Sequence, residues 1–91
     1  MSANAKVAAP PKEAVTVLYN GDVKEFRYHP HQKVDAVLKE ATRNFGIVAN
    51  QHLLSLFSAA GEELGDAVSL EDAGVKAGDE LVLRPSVVKG G

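Results

Sequence analysis

AVTVLYNGDVKEFRYH, residues 14–29, changes side with every residue. Val15, Val17 and Tyr19 recur at the period that puts alternate side chains on one side of a strand. Asn20-Gly21 follows, a pair that readily adopts the positive φ angles of a type I′ turn. Beyond it Phe26 and Tyr28 share one face while Glu25 and Arg27 share the other, so the stretch predicts a β-hairpin. Order is expected to begin near Glu13, and Pro30 ends the second strand.

Downstream the period changes. Val34, Val37, Leu38, Ala41 and Phe45 fall at helical offsets along one stripe. Gln32 and Lys33 are weak N-caps, so the helix start is placed near Lys33, and Gly46 is the natural stop just past its end. HLLSLFS, residues 52–58, reads as a strand with Leu54 and Leu56 on one face and Leu53, Ser55 and Phe57 on the other. Ala59-Ala60-Gly61 turns the chain toward a short edge strand around Glu63-Leu64. Ser69 can cap a single helical turn, its hydroxyl accepting a backbone N–H while Asp72 reaches back, and Gly74 closes that turn. Gly78-Asp79 then leads into ELVLRP, a last strand with Leu81 and Leu83 on one face. Pro85 removes a donor from a continuing ladder, so everything from Ser86 onward is expected to leave the sheet.

Upstream, residues 1–12 combine small residues, lysines and Pro10-Pro11 without hydrophobic periodicity, which predicts a flexible tail. Its longest apolar run, Val7-Ala8-Ala9, is too short for export or membrane insertion, and a cytoplasmic protein is expected. The 91 residues, 45% hydrophobic and 24% charged, describe one domain. A domain of this size hides only about 60% of its unfolded surface, leaving no room for a large buried active site. The net charge of −2 is unevenly spread: residues 1–45 carry seven basic and five acidic groups, residues 46–91 three basic and seven acidic. The second half therefore lacks the basic face that phosphate binding needs, and nucleic acid is not expected as a partner. The absence of Cys excludes disulfides, a thiolate nucleophile and a Cys-ligated zinc.

Hairpin, helix, strand, short edge strand, capped turn and final strand is the order of a β-grasp domain, and here the sequence resembles ubiquitin and its relatives from about Val15 to Arg84. LVLR at Leu81 to Arg84 is identical to the last strand of ubiquitin. Val34, Val37 and Ala41 align without a gap to that family's buried helix positions, Gly46-Ile47 to the helix exit and Leu54 to its buried strand-three leucine. Gly90-Gly91 at the end is similar to the tails of the modifiers and of the thiamine and molybdopterin sulfur carriers. The fold implied is α+β, a β-grasp domain over residues 13–85 in which a mixed sheet of four to five strands wraps one helix, followed by a flexible tail at residues 86–91.

In that family the last glycine carboxylate is adenylated, so the resemblance implies conjugation through Gly91 and Gly90, with ATP used by the activating enzyme and no cofactor or catalytic residue in the chain itself. A terminus that threads through an enclosing channel needs residues without Cβ atoms and with free backbone angles, and glycine supplies both. Pro85 to Lys89 would then act as a mobile connector. Arg84, Val87, Val88 and Lys89 are the expected tail-recognition residues; Val87-Val88 replaces ubiquitin's basic pattern, and the connector is three residues longer. The partners implied are an activating enzyme, a conjugating enzyme, a JAB-type deconjugating protease and target proteins, met by a monomer, and the divergence from the eukaryotic protein implies a bacterial relative.

Ubiquitin's hydrophobic patch maps onto Ser55, Phe57 and Val82, with Ser55 in place of its central isoleucine and Leu53 or Phe57 as substitutes, so a partner surface of altered shape is expected there. Glu62 follows Gly61 where ubiquitin has its principal chain-linking lysine. Acceptors for any chains would come from Lys6 and Lys12 in the tail, or from Lys24, Lys33, Lys39 and Lys76. His29 and His31, held apart by Pro30, and the distant His52 read as loop histidines rather than metal ligands. Ser55, Ser58, Ser69 and Ser86 lack a nucleophile-elbow context. A sulfur carrier ending in a thiocarboxylate and a noncovalent β-grasp adaptor stand as alternatives to the modifier.

Overall fold

The computed structural model describes residues 14–89, so the tail with Lys6 and Lys12, and the pair Gly90-Gly91, lie outside the described residues. β1 (Ala14–Tyr19) and β2 (Asp22–Arg27) form the expected hairpin, closing with Tyr19 opposite Asp22. Asn20 and Gly21 have φ of 51° and 86°. Both are left-handed, as a two-residue turn that follows the right-handed twist of its strands requires. Val15 and Val17 are buried, Tyr19 packs on the core edge, and Phe26 on the partner strand and Tyr28 just beyond its end join the same core.

Helix α1 (Val34–Asn44) lays Val34, Val37, Leu38 and Ala41 into that core, with Phe45 packed at its margin. Lys33 is the N-cap and makes no side-chain cap bond. The first N–H groups are satisfied by another route: Val34 N donates to the Val68 carbonyl at 2.8 Å and Asp35 N to the Asp66 carbonyl at 3.1 Å. A helix start buried against a neighbouring loop thus needs no Ser or Asp cap. The other end is a full Schellman motif, in which Gly46 N donates to Arg43 O and Ile47 N to Thr42 O while Gly46 holds φ at 71°.

A short 3₁₀ turn (Gln51–Leu53) leads into β3 (Leu54–Ser58), and β4 (Glu80–Pro85) completes a four-stranded sheet of order β2-β1-β4-β3. β4 runs parallel to β1 and antiparallel to β3. One helix on one face of this mixed sheet is the α+β, β-grasp arrangement expected from the sequence. The expected edge strand is reduced to a single bridge between Phe57 and Glu63, although Leu64 N still donates to Leu56 O at 2.8 Å. The chain cannot continue along β3 because residues 65–68 turn away to supply carbonyls to the start of α1. At Ser69 the hydroxyl accepts from Asp72 N at 3.0 Å, closing the expected turn ahead of Gly74. Among the described residues, no helix is long and apolar enough to cross a membrane.

β3 departs from the alternating expectation. Leu54 and Leu56 face the helix, yet Ser55 and Phe57 on the opposite face are only 0% and 2% exposed. The Arg84 guanidinium lies 3.9 Å from the centre of the Phe57 ring, and the Ser55 hydroxyl donates to Glu63 Oε2 at 2.7 Å. Both residues are therefore interior positions, which corrects their assignment to a partner surface.

Candidate functional site: the C-terminal segment

The stretch that follows β4 carries most of the residues singled out for tail recognition. Pro85 pairs with Leu54 at the end of the sheet, and the ladder then gains one more bond, from Ser86 N to the Leu53 carbonyl at 2.7 Å. The missing N–H of Pro85 is thus passed over rather than ending the ladder, and Ser86 stays hydrogen-bonded to the residue that precedes β3, contrary to the expectation.

The Ser86 side chain organises the next turn. Its hydroxyl donates to Glu63 Oε2 and accepts from Val88 N at 3.0 Å and Lys89 N at 2.9 Å. One donor and two lone pairs are thereby all used. Val87 N donates to the other oxygen, Glu63 Oε1, at 3.2 Å. Lys89 Nζ reaches back to the Leu54 carbonyl at 2.7 Å and to Asp66 Oδ2 at 2.6 Å. The expected mobile connector is thus hydrogen-bonded to the body from Ser86 through Lys89.

Glu63 gathers three donors: the hydroxyls of Ser55 and Ser86 and the amide of Val87. Bonds to its ionised form, from Ser86 first and then Ser55, hold its carboxyl below the ordinary value; burial opposes them, and the Val87 amide and the Lys89 charge add to the lowering. Asp66 spends its backbone carbonyl on α1 and its Oδ2 on Lys89, while its buried Oδ1 lacks a hydrogen-bond partner among the described residues. Clefts of about 370 and 360 Å³ both have Asp66 and Lys89 in their walls, so this ion pair stands as a ridge between them. Val87 and Val88 stay 75% and 73% exposed on top of the docked turn.

The other singled-out residues divide. Arg84 covers Phe57 with its guanidinium while remaining exposed. Val82 is half-buried on the outer face of the sheet, where the strand register aligns it with Leu18, and Leu18 with Val23, which is 55% exposed. That apolar row of Val23, Leu18 and Val82 occupies the face assigned to Ser55 and Phe57. Its signal was present in the sequence, because a two-residue turn at Asn20-Gly21 fixes Leu18 opposite Val23. Glu63 and Asp66 carried no such signal, since nothing local tells that acidic residues of a loop will meet the chain's far end.

Of the described lysines named as acceptors, Lys39 pairs with Asp35 at 3.1 Å and Lys24 lies 5.7 Å over the Phe45 ring, while Lys33 and Lys76 are exposed. The expectation that Pro30 separates the histidines is overturned: the His29 and His31 rings lie 5.3 Å apart, with His31 N donating to His29 Nδ1 at 3.2 Å. Among the described residues, no group of three or more His, Cys, Asp or Glu side chains is arranged to hold a metal ion.

Neither a family model nor a curated protein sequence matches the chain. Solved structures do. The ubiquitin of Caldiarchaeum subterraneum superposes with a TM-score of 0.70 at 25% identity, covering 88% of this chain and 99% of that one. A protein designed on the basis of ubiquitin gives 0.73 at 17% identity, covering 91% and 99%. The AtBAG1 chain from a complex with HSP70 gives 0.71 at 20% identity over 86% of this chain, which spans only 42% of that chain's length. The fold is ubiquitin-like.

Proposed function

We propose that the chain is a ubiquitin-like protein modifier, conjugated through the carboxylate of Gly91, whether that carboxylate is free at once or freed by trimming. The observation that carries this reading is a ubiquitin-like sheet whose last strand, containing LVLR, leads within six residues to Gly90-Gly91. In the proposed sequence, a Gly91 carboxylate oxygen attacks the α-phosphorus of ATP in an activating enzyme and pyrophosphate leaves. An enzyme thiolate then attacks the carbonyl and expels AMP. After exchange onto a conjugating enzyme, a target lysine amine attacks the thioester, the thiolate leaves and a proton is lost. The partner supplies nucleophile and oxyanion donors, and this chain supplies an acyl group without side-chain obstruction. A bacterial source and a JAB-type protease that reverses the bond belong to the same proposal, as does a cytoplasmic setting.

Lysates of the source cell incubated with the tagged chain should yield covalent adducts that disappear when Gly91 is removed. Trypsin cuts after Lys89, so those adducts should carry Gly-Gly on their acceptor lysines. A mass change at the C-terminus of one oxygen replaced by sulfur, without protein adducts, would instead support a sulfur carrier. A noncovalent adaptor is favoured by one observation, the docking of residues 86–89. For that reading, partner binding survives deletion of Gly90-Gly91.

A further inference from the structure

We infer that Glu63 and Asp66 form a two-point clasp that holds residues 86–89 shut against the body, and that this clasp must open before the chain's end can enter another protein; the second part rests on the modifier reading. Reach sets the requirement. An extended chain spans at most about 3.3–3.6 Å per residue. On the modifier reading the acyl group sits on Gly91, and with Lys89 pinned to Asp66 and Leu54 the two residues from the anchor to that group span about 7 Å. Released at Ser86, the six residues 86–91 span about 20 Å. A channel that encloses a carboxylate needs the longer reach.

The clasp has two separable points. Glu63 accepts the Ser86 hydroxyl and the Val87 amide, fixing the start of the turn. Asp66 takes the Lys89 ammonium, fixing its end. Neither carboxylate packs in the main core, and both sit on one loop, so a partner that engages this loop would loosen both points together. The ion pair is partly exposed, with side-chain exposures of 25% and 34%, and opening replaces it by hydration at modest cost.

Trypsin reads the open state directly. Arg84 precedes Pro85, a bond the enzyme does not cut, so loss of Gly-Gly reports cleavage after Lys89 alone, and that cut requires the ammonium to leave Asp66. When opening and closing are fast, the cleavage rate follows the open population. Intact-mass kinetics at neutral pH should show Gly-Gly released about tenfold faster from Glu63→Gln and from Asp66→Asn than from the parent chain, and faster still from the double variant. Cleavage after Arg43, within α1, should stay slow in each variant, which separates clasp opening from unfolding. Ser86→Ala, which leaves both carboxylates in place, should accelerate the same cut. Equal rates of Gly-Gly release in the parent and all variants overturn the clasp. This measurement uses no activating enzyme, so its outcome is independent of whether Gly91-dependent adducts form.

Discussion

Single residues carry the sharpest consequences. Phe57 occupies a surface position by strand alternation, yet it is 2% exposed with Arg84 over its ring. Phe57→Ala should therefore cost about 3–5 kcal/mol in urea unfolding, as for a core phenylalanine, where a surface side chain would cost about 0.5 kcal/mol or less. Glu63 makes the docked segment sensitive to pH. Its carboxyl titrates below the ordinary value when it holds Ser55, Ser86, Val87 and the nearby Lys89, so docking gains from it above the ordinary glutamate range and loses that gain as pH falls through the lowered value. A pH titration followed by NMR should show the Val87 and Val88 amides losing their docked shifts on acidification at a higher pH than core amides such as Val17. The same experiment on Glu63→Gln should show no such early step.

At the scale of elements, local patterns were legible wherever a segment's partners are its sequence neighbours. The β1–β2 turn, the apolar stripe of α1 and the Gly46 stop follow from dihedral preferences and periodicity, and they stand as expected. The start of α1 was legible only in position. Lys33 looks like a poor cap because the donors are met by Asp66 and Val68 from a distant loop. Lys33→Ser should accordingly raise stability by less than about 0.5 kcal/mol in a denaturant titration, well short of the roughly 1 kcal/mol that a capping side chain contributes to a free helix end. The edge strand failed for the same reason: residues 65–68 are committed to α1, and strand propensity around Glu63-Leu64 could not reveal the competing demand.

For the whole molecule, the order of elements was enough to read the β-grasp arrangement, because that order leaves few ways to bury one helix on one sheet. The path of the chain's end was not. Small residues, valines and lysine after a proline read as a connector, whereas the fold brings that stretch beside Glu63 and Asp66, more than twenty positions earlier. Long-range polar complementarity leaves no period in a sequence. The outer sheet face shows the converse case, since Val23, Leu18 and Val82 form a row that the strand registers alone determine.

The strand order also bears on how the protein is born. β4, the last strand to be synthesised, lies in the interior of the sheet between β1 and β3. A nascent chain that has emerged only as far as Asp79 holds a hairpin and a lone strand with open edges and nothing to join them, and such edges invite pairing with other chains. The sheet closes only when residues 80–85 have cleared the ribosome, so a product cut short before Glu80 is left with its sheet open and its strand edges unpaired.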